Sequence, residues 1–151
     1  MTDKHIIGWR EWVGLPDLGI GWVKAKIDTG ARTSALHAFE LERFTQDEQP
    51  WVRFSMHPKQ KDIHAVVYCT APVVDERMVT DSGGHKESRP VITTTLQING
   101  ATRSIEVTLT DRDSMLFRML LGRTAIKHSF LVSPGQSFML GGSRVQPPAL
   151  V

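Results

Sequence analysis

The sequence predicts an all-β domain with barrel-like closure and one short helix near the C-terminal end. Three observations carry that expectation. Short apolar-alternating runs recur along nearly the whole chain, turn-forming residues separate them, and no stretch keeps a long helical apolar period. In order, strands are expected at about 5–13, 21–28, 34–41, 50–57, 63–70, 73–80, 89–98, 103–110, 117–121 and 137–140. Leu15-Pro16-Asp17-Leu18-Gly19 supplies a turn between the first two. Asn99-Gly100 is a strong hairpin signal between 93–98 and 103–109. Residues 124–128 hold the best helix, and 146–151 read as an extended or frayed tail. No internal repeat, linker or low-complexity segment interrupts the pattern.

Length and composition bound the class. The 151 residues make one domain, 1–151, large enough for a core without disulfides or metal. An apolar fraction of 40% and a charged fraction of 23% are those of an ordinary soluble globular protein. A single cysteine excludes an internal disulfide and fits a reducing, cytoplasmic setting. No secretory leader or membrane-length apolar run is seen, so no membrane partner is expected. A net charge of +2 is too small to imply nucleic acid.

The most informative motif is Asp28-Thr29-Gly30-Ala31, which ends the run Trp22-Val23-Lys24-Ala25-Lys26-Ile27. A strand there delivers a carboxylate, Thr29 braces the loop, and Gly30 keeps backbone clear of an approaching substrate. By chance alone the tripeptide would occur in roughly 3% of chains this long, so a second element is needed. Met119-Leu120-Leu121-Gly122-Arg123-Thr124-Ala125-Ile126 supplies it. An apolar pair followed by Gly-Arg, after a β-rich interval, resembles the second motif of single-lobed aspartic proteases of the retroviral type. The resemblance implies that the pair runs beside the catalytic strand and that Gly122 turns the chain into the short helix.

The likeness narrows further. Residues 5–20, the run Lys24-Ala25-Lys26-Ile27-Asp28-Thr29-Gly30-Ala31-Arg32-Thr33-Ser34-Ala35-Leu36-His37-Ala38, and Glu87-Ser88-Arg89-Pro90-Val91 are similar to one bacterial family of retropepsin-like, RimB-like peptidases. Its members are commonly labelled ATP-dependent zinc proteases. Some are linked to the RimK-type ligase, which adds glutamates to a ribosomal protein. The resemblance covers nearly the whole chain and implies a retropepsin-like closed barrel.

Aspartic proteolysis needs two carboxylates sharing one proton, one activating water and the other hydrogen-bonding the scissile carbonyl. One chain offers one suitable aspartate, so the expected active form is a two-fold homodimer with Asp28, Thr29 and Gly30 of each subunit at the axis. Asp81-Ser82-Gly83-Gly84 resembles a second catalytic tripeptide, but the spacing from Asp28 cannot hold a complete lobe. It reads instead as a hairpin tip, in the interval where retropepsins carry a flap near 78–90.

Specificity is expected from Ala31 and from basic residues around the loop and hairpin: Lys24, Lys26, Arg32, Lys86 and Arg89. Pointing inward, they favour acidic side chains, and the ligase connection makes a poly-glutamate tail the natural substrate class. Pointing outward, they only solvate a strand face. Lys24 and Lys26 share strand parity and therefore one face.

No metal and no cofactor is assigned. The chain has no His-Glu-x-x-His, no Cys-x-x-Cys and no phosphate-binding Gly-rich loop, and its six histidines are scattered. Cys69 reads as a small buried hydrophobe, and Trp9, Trp12, Trp22 and Trp51 as strand residues packing a core or a dimer. The leading expectation is a homodimeric aspartic endopeptidase for acidic peptides. Its competitors are a retropepsin of broader apolar specificity, a silent dimeric module binding acidic tails, and the metallopeptidase of the older label.

Overall fold

The computed structural model describes residues 4–59, 64–80, 83–111 and 116–148. Asp81 and Ser82 of the expected hairpin tip, residue 63 of one expected strand and the last three residues of the tail lie outside the described residues. The chain is mostly β. In order it forms β1 (His5–Gly8), β2 (Arg10–Leu15), a 3-10 turn (Pro16–Leu18), β3 (Ile20–Ile27), β4 (Ser34–His37), β5 (Phe39–Gln46) and β6 (Gln49–Met56). Then follow β7 (Val67–Pro72), β8 (Asp75–Thr80), β9 (Lys86–Ile98), β10 (Ala101–Thr110), β11 (Met119–Leu121), helix α1 (Arg123–Ile126) and β12 (Phe130–Ser133).

Seven strands form the main sheet, in the order β10-β4-β11-β3-β2-β9-β8. Because β10 also pairs with β9, the ladders run in a ring. The junction of β2 with β9 is a single pair, Gly14↔Gln97. The main sheet is therefore a ring of paired strands, thin at one seam. A three-stranded sheet, β5-β6-β7, and the parallel pair β1–β12 complete the fold.

The alternation that predicted strands also explains their burial. Along β3, Val23, Ala25 and Ile27 enter the core, as do Leu36 on β4, Leu109 on β10, and Met119 and Leu121 on β11. These belong to one apolar cluster that reaches Phe54 and Met56 on β6 and Ile92 and Leu96 on β9. The Asn99-Gly100 turn joins β9 to β10 with both residues at positive φ, 54° and 74°. That is the backbone an Asn-Gly hairpin selects.

Three expectations need correction. The strand predicted over 5–13 is split at Trp9, where β1 leaves to pair with β12 and β2 stays with β3. Trp9 accordingly lies between strands, its N–H donating to the Gln136 carbonyl at 2.8 Å. Residues 137–140 form no strand, because Phe138 takes a positive φ of 55°. The strand of that region is β12, which ends before Pro134 and pairs in parallel with β1, so no hairpin signature marks it.

The decisive local feature is that β11 inserts between β3 and β4, parallel to one and antiparallel to the other. The loop 28–33 that joins β3 to β4 must then pass over the end of β11. Gly122 makes this passage possible: a Cβ there would meet the Thr33 carbonyl carbon at 2.6 Å and its oxygen at 2.8 Å. Gly122→Ala is expected to cost about 2–3 kcal/mol and lower Tm by roughly 5–10 °C in thermal unfolding. Cys69 packs in the core, and burial pushes its thiol up to about 11 from 9.0. The native thiolate fraction near pH 8 should be about 100-fold below that of the unfolded chain. Iodoacetamide at pH 8 should thus label Cys69 only at the rate of unfolding. Any stability tied to this thiol is intact below pH ~9 and falls between pH ~9 and ~11, because only the unfolded thiol ionises there.

Candidate active site

Asp28 sits where β3 ends, its backbone N–H donating to the Leu121 carbonyl at 2.8 Å. Its carboxylate accepts from the Gly30 N–H at 3.1 Å, and its carbonyl accepts from the Ala31 N–H at 3.2 Å. The chain thereby turns sharply, leaving Thr29 and Gly30 exposed and Asp28 half-buried. The turn is held from below. Arg123 N–H donates to the Ala31 carbonyl at 2.8 Å and Thr124 N–H to the Arg32 carbonyl at 3.0 Å. Ser34 Oγ accepts from the Gly122 N–H at 3.1 Å, and Arg123 Nη1 donates to the Thr29 carbonyl at 2.9 Å. Among the described residues, Asp28 makes no hydrogen bond or ion pair with a second carboxylate.

Register then shows what shares the Asp28 face. Lys26 precedes Asp28 by two residues and pairs with Leu120 on β11, which pairs with Ala35 on β4. Ala35 opposes Thr108, and His37 opposes Thr110, on β10. On the other side, Arg10 and Trp12 of β2 oppose Lys26 and Lys24. Cross-strand partners point to one side of a sheet, so this is the side away from the apolar cluster; on it Lys26 is exposed, while Ala35, His37, Thr108 and Thr110 are buried. Arg118 joins it by parity with Leu120.

The expected site residues distribute unevenly. Lys26 and Arg32 are exposed beside the loop, and Ala31 is half-buried behind it. Lys24 shares the face of Lys26 but is buried, its Nζ donating to the Arg144 carbonyl at 2.7 Å. Trp12 Nε1 donates to the neighbouring Ser143 carbonyl at 2.8 Å. A C-terminal segment therefore covers that end of the face. Lys86 is exposed at the end of the β8–β9 hairpin, opposite Thr80. Arg89 is buried farther down β9, its Nε donating to Glu87 at 3.3 Å, while Thr110 Oγ1 donates to the same carboxylate at 3.2 Å. Lys26 and Arg32 are thus brought to the loop, whereas Lys24, Lys86 and Arg89 stand at other stations.

Sequence reasoning missed the contribution of Arg123 to the loop, and Arg77. On β8, Arg77 donates to Asp75 at 2.8 Å, to Glu106 at 3.0 Å and to Thr33 Oγ1 at 3.5 Å. Hydrogen bonds with Asp75 and then Glu106 raise its pKa above the ordinary arginine value. The hairpin is in this way tied to the residue that closes the Asp28 loop. No local signal marks Arg77, because the contact crosses two strands, β9 and β10.

Among the described residues no group of three or more His, Cys, Asp or Glu side chains gathers as a metal site, and no helix is long and apolar enough to cross a membrane. Two surface cavities, of about 210 and 280 Å³, are lined at Arg43, Trp51 and Asp75 and at His5, Arg103 and Phe130. Neither includes the Asp28 loop.

Comparison with known proteins gives this geometry a family. The chain is 45% identical over 142 residues to a Shewanella pealeana protein named "Probable alpha-L-glutamate ligase", covering 93% of this chain and 31% of that one. It is 44% identical over 138 residues to a Desulfotalea psychrophila protein of the same name, covering 91% and 30%. It spans less than a third of the length of these curated relatives. A Legionella pneumophila crystal structure of unknown function superposes with a TM-score of 0.74 at 27% identity, over 91% of this chain and 99% of that one. The family profile described as "RimB-like: Retropepsin-like aspartic endopeptidase RimB" matches residues 6–141. With its single Asp-Thr-Gly loop braced by Leu121-Gly122-Arg123, the chain belongs to the RimB-like, retropepsin-like family.

Proposed function

We propose that this is one peptidase domain, an aspartic endopeptidase that acts as a two-fold homodimer and cleaves acidic, oligo-glutamate tails in the cytoplasm. The observation that carries the reading is the Asp28 loop. A carboxylate is presented at a strand end, fixed by backbone hydrogen bonds from an interleaved strand, on a face that also bears Lys26, Arg118 and Arg10. A closed retropepsin-like barrel around that loop belongs to the same reading.

One Asp28 per chain supplies half of a catalytic dyad, and the exposed Thr29-Gly30 tip is free to meet its counterpart on a two-fold axis. In the dimer one carboxylate accepts a proton from the attacking water while the other, protonated, donates to the scissile carbonyl oxygen. Collapse of the tetrahedral intermediate breaks the C–N bond and returns a proton to the amine. Gly30 admits the substrate backbone, and the β8–β9 hairpin is the covering flap. Lys26 and Arg32 are the first cations beside the dyad, with Lys86 and Arg89 reached from the hairpin. Lys24 contributes by holding the C-terminal segment, since its ammonium is already engaged.

The relatives' name supports glutamate as the substrate class. More than two thirds of each lies outside the matched region, leaving room for ligase machinery beside a domain of this kind. The same observation favours a second reading, a module that only binds the glutamate tail and delivers it.

A glutamate-tailed peptide and a neutral peptide, each with wild type and Asp28→Asn, with and without EDTA, separate the readings. The expected outcome is chelator-resistant cleavage of the glutamate peptide, lowered on the order of 10³-fold or more in the variant. Binding without cleavage by both proteins would establish the module instead, and EDTA-sensitive cleavage a metallopeptidase. Specific activity should also rise with protein concentration, and sedimentation should show the dimer over the same range.

A further inference from the structure

Two cations stand directly opposite each other one row behind Asp28. Arg10 on β2 pairs with Lys26 on β3, and Lys26 precedes Asp28 by two residues. The row continues through Leu120 and Ala35 to Thr108, so it holds two positive charges and no acid. Lys26 is exposed and Arg10 half-buried, whereas the ammonium of Lys24, a row further on, is taken by the C-terminal segment. The charged end of the Arg10–Lys26 row is therefore the end that meets solvent.

Like charges directly opposite on a sheet repel, and either side chain would be more stable facing an acid. Arg10 is nonetheless held in place. Its Nε donates to Ser137 Oγ at 3.1 Å, and its guanidinium carbon lies 4.6 Å from the Trp9 ring centroid and 4.9 Å from that of Phe138. The two rings attract the charge and set the direction of the guanidinium. A hydrogen bond at Nε puts the two Nη groups on the outer edge of the fork. A fixed guanidinium and an exposed ammonium thus face each other across two strands.

Position decides what fits between them. Lys26 is two strand residues from Asp28, a separation of about 7 Å, and directly opposed Cβ atoms lie about 5 Å apart. Consecutive residues of an extended peptide advance about 3.3 Å, so the row lies within reach of a side chain on a substrate residue flanking the scissile bond.

We propose that Arg10 and Lys26 form a two-cation clamp for one glutamate carboxylate of the substrate, on a residue beside the scissile bond. The Arg10 fork takes the carboxylate directionally and the Lys26 ammonium acts as a point charge. The proposal rests on the peptidase reading for its substrate class and adds Arg10, the pairing and the position. A carboxylate placed between the two supplies the opposite charge that the row lacks, whereas a glutamine there leaves two like charges facing each other.

A double-mutant cycle on binding tests the clamp. Fluorescein-labelled hexaglutamate and hexaglutamine are titrated by anisotropy against Asp28→Asn, and against Asp28→Asn carrying Arg10→Gln, Lys26→Gln or both. Each single variant should weaken the hexaglutamate Kd by about 10-fold. The double variant should fall well short of the product, because the ordering of one shared side chain is already lost with the first cation. Arg10→Lys keeps the charge, loses the fork and should lie between parent and Arg10→Gln. Thermal melts identify the folded variants; if Arg10→Gln does not fold, the exposed position Lys26→Gln decides alone. An unchanged hexaglutamate Kd in either folded single variant, a double variant equal to the product, equal weakening of both peptides, or no binding to Asp28→Asn overturns the clamp. Wild-type cleavage is scored separately. Clamp-dependent binding without cleavage sinks the peptidase reading and leaves the clamp standing, whereas cleavage whose glutamate preference survives both Arg10→Gln and Lys26→Gln does the reverse.

Discussion

Everything at the candidate site depends on one steric fact: a strand of three residues is threaded between the two strands that the Asp28 loop connects. Threading β11 between β3 and β4 leaves the loop no route except across its end, and Gly122 against the Thr33 backbone is what lets it cross. Close approach then brings donors and acceptors into register without any side chain having to search for its partner. Backbone groups of 121, 123 and 124 bind those of 28, 31 and 32, and the Asp28 carboxylate accepts from the Gly30 N–H of its own loop. Most of the bonds that hold the loop come from the main chain, with Ser34 Oγ and Arg123 Nη1 adding two from side chains.

The same threading sorts the two faces of the sheet. Period-two alternation puts Ala25, Ile27, Met119, Leu121 and Leu36 together in the core. The complementary set, with Lys26, Leu120, Ala35 and His37, is forced to the opposite side. The polar side chains thus gather on the reverse of the apolar core, and Asp28 stands on that reverse. The position of Lys26 and that of the Asp28 carboxylate follow from a single parity.

How much of this was legible in the chain varies with locality. Strands bounded by their own turns could be read directly, as the Asn99-Gly100 hairpin shows, since two adjacent positive-φ residues are a local demand. Asp28 and Gly122 were legible because each motif is contiguous. Pairings between distant segments were not. Nothing near Phe130 announces a parallel partner at His5, and nothing near Lys24 announces that Arg144 will take its ammonium. The parity of Lys24 and Lys26 was correct, yet one is covered and the other open, because burial depends on what arrives from elsewhere. Arg118 stayed unseen for the same reason: its face is set by a strand order that no spacing along the sequence encodes.

Glu11 carries the last consequence. It is fully buried, and its carboxylate accepts from the N–H groups of Gly8 at 2.6 Å, Met139 at 2.8 Å and Leu140 at 3.1 Å. Two of those three donors lie 128 and 129 residues further along. During synthesis, the first strands emerge with an anion that cannot be desolvated until the final segment is made. The Glu11 contact can therefore form only once residues 139 and 140 have been made. Such a high-contact-order contact is slow to form, and it ties the packing of the first strands to a segment near residue 140.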